Sequence, residues 1–501
     1  MTIVSSSHGY LAFRGEPTAY LFRQAPALST DFLFGFATAA AQIEGGGAEA
    51  EKASGRGDSI WDEFCDRPGN IRDGSHVKRT CNHLEKYKED IALMKSLGAN
   101  SYRFSISWPR VIPLGGKGDP VNQKGINFYN NLVDECLKVG LVPFVTLYHW
   151  DLPLELFKRY GGWLNKERIV EDYTYYAKTC FELFGNRVKH WLTFNEPWCT
   201  AVLGHGIGQF APGHVSNTEP WIVGQSLMIA HASASKLYMR EYKAKQGGMI
   251  GITLNGDWTD PYDESPENVE AAQRKMDFAV GWFADVIYLG RYPQSMIDIL
   301  GDRLPQFSRE ELDLLKDSSE FYGCNTYTTN TIKATRTKDE FAGYTTMAFD
   351  KPDGTEIGIT AQLGWLRDVP WGFRRLLNYL YQRYNKPIYM TENAISIADD
   401  HTSIRTCHTN DEGRVQYYDG YTQALKEAVQ IDGVDVRSYF GFMDNFEWAS
   451  GLVPRFGSVY VDYETFERTP KDSATSLMKV CSFGFPSSYS KSSSTDTATA
   501  L

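Results

Sequence analysis

Short runs rich in β-branched and aromatic residues alternate along this chain with longer segments in which apolar positions recur every three to four residues. Eight such pairs follow one another, with strand-like runs beginning at Phe32, Ser101, Leu141, His190, Met249, Phe321, Ile388 and Ser438. The segment from Gly125 to Lys138 shows the contrast. Tyr129, Leu132, Val133 and Cys136 fall at i, i+3, i+4 and i+7, one face of a helix, and Leu141 to Leu147 then reads as a buried strand. Repeated strand and helix pairs predict a parallel sheet covered by helices.

Two architectures satisfy that alternation. An open doubly wound sheet usually carries a glycine-rich nucleotide loop after its first strand, but Gly45-Gly46-Gly47 does not match G-x-G-x-x-G and no acidic partner ends a second strand. Eight units without that fingerprint favour a closed (β/α)8 TIM barrel with elaborated βα loops, whose chemistry would sit at the carboxyl ends of the strands. No long Gly/Ser/Pro linker divides the chain, so residues 30–481 are read as one catalytic barrel. Residues 1–29 are read as an N-terminal extension and the Ser/Thr-rich residues 482–501 as a disordered tail.

Composition narrows the partners. A net charge of −11 without a basic run argues against nucleic acid and anionic membranes. The N-terminus lacks a charged region followed by an apolar one, and no stretch of eighteen apolar residues occurs, so a cytoplasmic location is expected. Eight cysteines without a CxxC pair, and no H-x-H or H-E-x-x-H, predict neither a zinc site nor a disulfide framework; no metal and no cofactor are expected. Aromatic residues make up 14% of the chain, which suits stacking against sugar faces as well as core packing.

Polar and aromatic residues cluster where predicted strands run out. Strand three ends in Tyr148-His149-Trp150-Asp151, strand four in Thr193-Phe194-Asn195-Glu196-Pro197, strand seven in Tyr389-Met390-Thr391-Glu392-Asn393, and strand eight in Met443-Asp444-Asn445-Phe446-Glu447-Trp448. A glycosidic bond needs a protonated leaving oxygen and an anion beside the developing positive charge, and two carboxyl groups supply both. Glu196 and Glu392 form such a pair across a barrel mouth. A separation of roughly 5 to 5.5 Å would let one attack the anomeric carbon, whereas about 6.5 to 9.5 Å would leave room for water.

The segments Phe34-Gly35-Phe36-Ala37-Thr38-Ala39-Ala40, Tyr102-Arg103-Phe104-Ser105-Ile106-Ser107-Trp108, Thr193-Phe194-Asn195-Glu196-Pro197, Thr391-Glu392-Asn393 and Asp444-Asn445-Phe446-Glu447-Trp448 resemble those of glycoside hydrolase family 1, the β-glucosidases, in particular intracellular fungal-type members. Their order and spacing agree from about Thr30 to Met478. The chemistry of the residues defines only the pair; the resemblance implies that Glu196 is the acid/base and Glu392 the nucleophile. It also implies that Arg103, Tyr327 and Asn325 surround the nucleophile, and that Gln42, His149, Trp150, Asn195, Glu447 and Trp448 hold the sugar. Trp365 and Trp198 are candidates for the leaving-group side.

Three positions depart from the family pattern. The stretch Tyr439-Phe440-Gly441-Phe442-Met443 is two residues shorter than usual and lacks the tryptophan that normally lies under the sugar. Because strand side chains alternate, an even deletion preserves facing, and counting back from Asp444 puts Phe440 in the tryptophan's place. Ala394 stands where the family has glycine, which would cost ~1 kcal/mol if φ were positive there. Thr326 stands where a larger ring is usual.

The resulting expectation is a retaining β-glycosidase that hydrolyses terminal non-reducing β-D-glucosyl residues from short oligosaccharides and aryl or alkyl glucosides through a covalent glycosyl-enzyme. Glu447 disfavours a phosphorylated sugar, since a carboxylate repels phosphate. Glu196 disfavours the thioglucosidase variant, which has glutamine there. A transglycosylating enzyme, or a sugar-binding pseudoenzyme with a disturbed strand eight, are the alternatives.

Overall fold

A computed structural model of the chain describes residue 28 and residues 31–396 and 410–482. The expected extension and tail lie almost wholly outside these residues. Eight strands form the barrel: β1 (Leu33–Ala37), β2 (Ser101–Ser105), β3 (Val142–Tyr148), β4 (His190–Asn195), β5 (Met249–Asn255), β6 (Tyr322–Asn325), β7 (Ile388–Glu392) and β8 (Val436–Phe442). All neighbours are parallel, and β1 pairs with both β2 and β8, so the sheet closes. Seven of the eight strands start within one residue of the expected position. The exception is β8, which begins two residues early at Val436. A bulge lets Val436 pair with Ile388 before Ser438 pairs with Tyr389.

One long helix follows each strand: α1 (His83–Leu97), α2 (Gln123–Val139), α3 (Lys166–Phe184), α4 (Glu219–Leu237), α5 (Pro266–Met276), α6 (Pro370–Tyr384), α7 (Glu412–Gln430) and α8 (Asp472–Ser482). The α2–β3 unit shows why. Asn122 caps α2 by accepting from the Lys124 N–H at 3.2 Å, and Tyr129, Leu132, Val133 and Cys136 are buried on one face. Gly140, at φ 77°, ends the helix in the left-handed conformation that glycine adopts without a Cβ clash. The chain then enters β3, buried along all but its first residue because the barrel covers one face and the helices the other.

The lower barrel is filled by side chains. Phe144 stacks on His190 at 5.0 Å and meets Phe321, Tyr389 and Phe440 at 6.0, 5.4 and 5.8 Å. This aromatic plug fills the end of the barrel where the strands begin, opposite the carboxyl ends at which barrels of this kind carry their chemistry. The altered strand eight is not displaced: Leu33 to Ala37 pair in unbroken register with Ser438 to Phe442. No described helix is long and apolar enough to cross a membrane.

Candidate active site

Parallel strands that start together also end together, and Asn195, Asn325 and Glu392 are the last residues of β4, β6 and β7. Glu196 follows β4 directly. Its backbone takes a left-handed φ of 45°, and Trp150 and Trp448 share this conformation at 72° and 50°. Such backbone costs non-glycine residues ~1–3 kcal/mol each, and it persists where surrounding contacts enforce it. Here the Glu196 N–H donates to Thr253 O at 3.0 Å, and the Trp150 indole N–H donates to Asn195 O at 2.9 Å.

The two buried glutamates have different surroundings. The Arg103 guanidinium, itself buried, donates from Nη1 to Glu392 Oε1, and the Tyr327 hydroxyl donates to Glu392 Oε2 at 2.5 Å. Among the described residues no cation contacts Glu196. Its Oε1 accepts from Asn325 Nδ2 at 2.6 Å and its Oε2 from the Cys199 thiol at 3.0 Å. Burial, reinforced by the negative charge of Glu392, pushes Glu196 up to about 7, although both hydrogen bonds and Arg103 oppose the rise. Burial and the nearby carboxylates hold the Tyr327 hydroxyl well above its ordinary range, so it remains a donor.

Arg103 also organises a second group of polar side chains in the cavity. Its Nη2 donates to Asn195 Oδ1 at 2.7 Å, and Asn325 Nδ2 reaches the same oxygen at 3.0 Å. That oxygen thus takes two donors, which turns Asn195 Nδ2 toward His149 Nε2 at 3.0 Å. Burial and Arg103 hold His149 well below its ordinary range, so the ring is neutral. Gln42 donates from Nε2 to Asn445 Oδ1 and Phe446 O, both at 3.0 Å, leaving its own oxygen as the acceptor. The half-buried Glu447 is pushed up to about 8 by desolvation and by the charges of Glu392 and Glu196. Trp448 packs on Trp61 at 4.7 Å and Trp150 at 4.4 Å, and lies nearly parallel to His149. Trp365 stands 42% exposed, edge-on to Tyr327 at 6.0 Å. Trp198 is half-buried in the turn after Glu196.

Phe440 is not brought to this cavity. Its ring is fully buried in the aromatic plug against Phe144. Phe442, two residues on, is the aromatic side chain at the mouth, lying parallel to Tyr327 at 6.3 Å with an interplanar angle of 18°. Residues i and i+2 of a strand share a face, so alternation identifies the side and leaves the depth open. Ala394 is fully buried without a left-handed φ, so the strain that a positive φ would bring does not arise. Thr326 turns its hydroxyl to Asp257 at 2.9 Å. Cys199 and Asp257 were not singled out from the sequence. Asp257 stands two residues beyond β5, where a survey of every strand end would have found it, whereas Cys199 is placed by a five-residue π-helical turn from Cys199 to Leu203.

A closed barrel with two unequal carboxyl groups and neutral hydrogen-bonding side chains at its mouth belongs to the class of glycoside hydrolases. The profile of glycosyl hydrolase family 1 matches residues 24–483. β-Glucosidase 1B of Phanerodontia chrysosporium is 56% identical over 462 residues, covering 90% of this chain and 85% of that protein. A family 1 β-glucosidase of the fungus Humicola insolens in complex with glucose superposes with a TM-score of 0.88 at 50% identity, covering 91% of this chain and 98% of that one. A rice β-glucosidase mutant in a covalent complex with Glc superposes at 0.86 and 38% identity, covering 90% and 98%. The chain belongs to glycosyl hydrolase family 1. It is a retaining β-glucosidase.

Proposed function

We propose that Glu392 is the nucleophile and Glu196 the acid/base in hydrolysis of terminal non-reducing β-D-glucosyl residues from short oligosaccharides and aryl or alkyl β-glucosides. The observation that carries this assignment is the asymmetry of the pair. Glu392 is held by Arg103 and Tyr327, whereas Glu196 has only neutral partners and is raised to about 7. Two donors hold the Glu392 oxygens in place for attack, and a raised Glu196 keeps a proton to give.

In the first step a Glu392 oxygen bonds to the anomeric carbon as the glycosidic bond breaks, and the leaving oxygen takes the proton of Glu196. Glu392 is now an ester without charge, and the repulsion that held the proton on Glu196 is gone. Glu196, now the anion, removes a proton from water, the water oxygen displaces the Glu392 carboxylate, and Glu196 ends protonated as at the start. Asn195, His149, Gln42, Glu447 and Trp448 offer both donors and acceptors to sugar hydroxyls, with Trp150 packing Trp448 in place. A neutral Glu447 can serve in both roles at once. Phe442 provides an apolar face for the ring, and Trp365 and Trp198 flank the leaving-group side.

The glucose complex of the Humicola insolens relative supports a glucosyl unit in the inner site. A cytoplasmic location is part of the proposal and rests on the sequence. The test is p-nitrophenyl β-glucoside turnover by Glu392→Ala and Glu196→Ala with added azide. The first should regain activity as an α-glucosyl azide and the second as a β-glucosyl azide, because azide replaces the nucleophile in one and attacks the glycosyl-enzyme in the other. Turnover near wild type in either variant without azide would overturn the assignment.

A further inference from the structure

Three consecutive residues after β6 converge on one oxygen. Asp257 Oδ1 accepts from Thr326 Oγ1 at 2.9 Å, from Tyr327 N–H at 2.9 Å and from Thr328 N–H at 3.1 Å. The same loop is gripped from its other side. Tyr327 O accepts from the Tyr417 and Tyr421 hydroxyls of α7 at 2.8 and 3.2 Å, and Thr326 O accepts from Asn393 Nδ2 at 2.7 Å. Between these anchors the Tyr327 phenol reaches Glu392 Oε2 at 2.5 Å. Asp257 makes no described hydrogen bond with either glutamate, yet it fixes the backbone from which the phenol projects.

We infer that Asp257, together with Thr326, is a positioning residue that sets the Tyr327 hydroxyl against Glu392. The inference rests on the reading of Glu392 as nucleophile. It also explains the departure at Thr326, which is 1% exposed. A β-hydroxyl is short enough to donate to Asp257 from inside the wall, whereas a large ring carries no donor at that distance from the backbone. A tyrosine two bonds' rotation away from its carboxylate gives up a hydrogen bond to a charged group, so the clamp acts on rate through geometry.

Charged groups face this clamp from several elements, and Asp368 lies against the Tyr417 and Tyr421 hydroxyls. Asp257 faces Lys275 of α5, which in turn faces Asp339, and burial raises Asp257 while it lowers Lys275. Tyr327 faces Glu392, Glu196 and Glu447. Arg103 contacts Glu392 from the opposite side.

The test is a double-mutant cycle on p-nitrophenyl β-glucoside, with pH profiles of kcat/KM for wild type, Asp257→Ala, Tyr327→Phe, the double variant and Asp257→Asn. Asp257→Ala should lower kcat/KM about tenfold and move the acidic limb to higher pH, as Tyr327→Phe should. In the Tyr327→Phe background the same change should cost less than about twofold, because residues acting through one contact are not additive. Asp257→Asn, which keeps Oδ1 as an acceptor, should stay within about threefold of wild type. Equal losses in both backgrounds, or an acidic limb unmoved by Asp257→Ala, would overturn the inference. If Asp257→Ala does not fold, Thr326→Val carries the test, with a smaller shift of the limb in the same direction expected and no shift overturning it. Glu392→Ala separates the two levels. If it keeps turnover, the nucleophile assignment fails; if turnover is lost and azide restores it while the cycle is additive, only the role of Asp257 fails.

Discussion

The thiol of Cys199 donates to Oε2 of Glu196 at 3.0 Å, on the opposite oxygen from the Asn325 amide. A donor to the ionised carboxyl favours ionisation, and a thiol is a weak donor, so Glu196 can stay raised to about 7 despite two partners. The proposed acid step is present below that value and is lost as pH rises through it. Cys199→Ala should move the alkaline limb of kcat/KM to higher pH, and Cys199→Ser to lower pH, each by less than about one unit. Stopped assays across pH 5 to 9 measure this, and a limb that moves the same way in both variants counts against the contact.

Phe440 and Phe442 should separate stability from binding. Phe440→Ala opens a cavity in the aromatic plug and should cost ~3–5 kcal/mol of stability. Phe442→Ala, at the mouth beside Tyr327, should leave the melting temperature nearer wild type and raise the KM for aryl glucosides. Denaturant melts and steady-state kinetics on both variants decide the matter; a KM change confined to Phe440→Ala would return that residue to the site.

Asp151 lies buried beside Glu44, Arg56 and Arg110, and burial pushes it up to about 8. A carboxyl raised in the folded state lends stability that is full below its unfolded value near 3.8 and is lost as pH rises through the folded value. Glu196 and Glu447, raised to about 7 and 8, act in the same direction. The contribution of these three carboxyls should therefore be lost progressively between about pH 4 and 8, and Asp151→Asn should flatten the melting-temperature profile there. Scanning calorimetry of both proteins over that window would show it, and parallel slopes would exclude Asp151 as a source.

Arg103 touches Glu392, Thr391 O and Asn195 Oδ1, so its loss removes one donor from each of three buried acceptors. Arg103→Met should reduce kcat by about 10²-fold or more and move the acidic limb to higher pH. Arg103→Lys should recover little, since a single ammonium cannot reproduce a planar fork holding three acceptors. Recovery to near wild type by lysine would mean that charge alone matters at this position.

Much of this protein was legible as sequence. Strand and helix periods alternate eight times, because a parallel strand buried on both faces and a helix buried on one leave distinct apolar patterns. The ordered motifs around Glu196 and Glu392 marked the pair, since both stand where a strand ends. Depth, partnership and proton affinity were decided only by the tertiary structure. Alternation along β8 could not say whether Phe440 or Phe442 stands at the mouth, because both point inward one layer apart. Nor could spacing join Asp257 to Thr326, 69 residues away, or give one glutamate an arginine and the other a thiol. Those differences arise when distant strand ends meet in a cavity from which water is largely excluded, where each neighbour counts for more than its place along the chain.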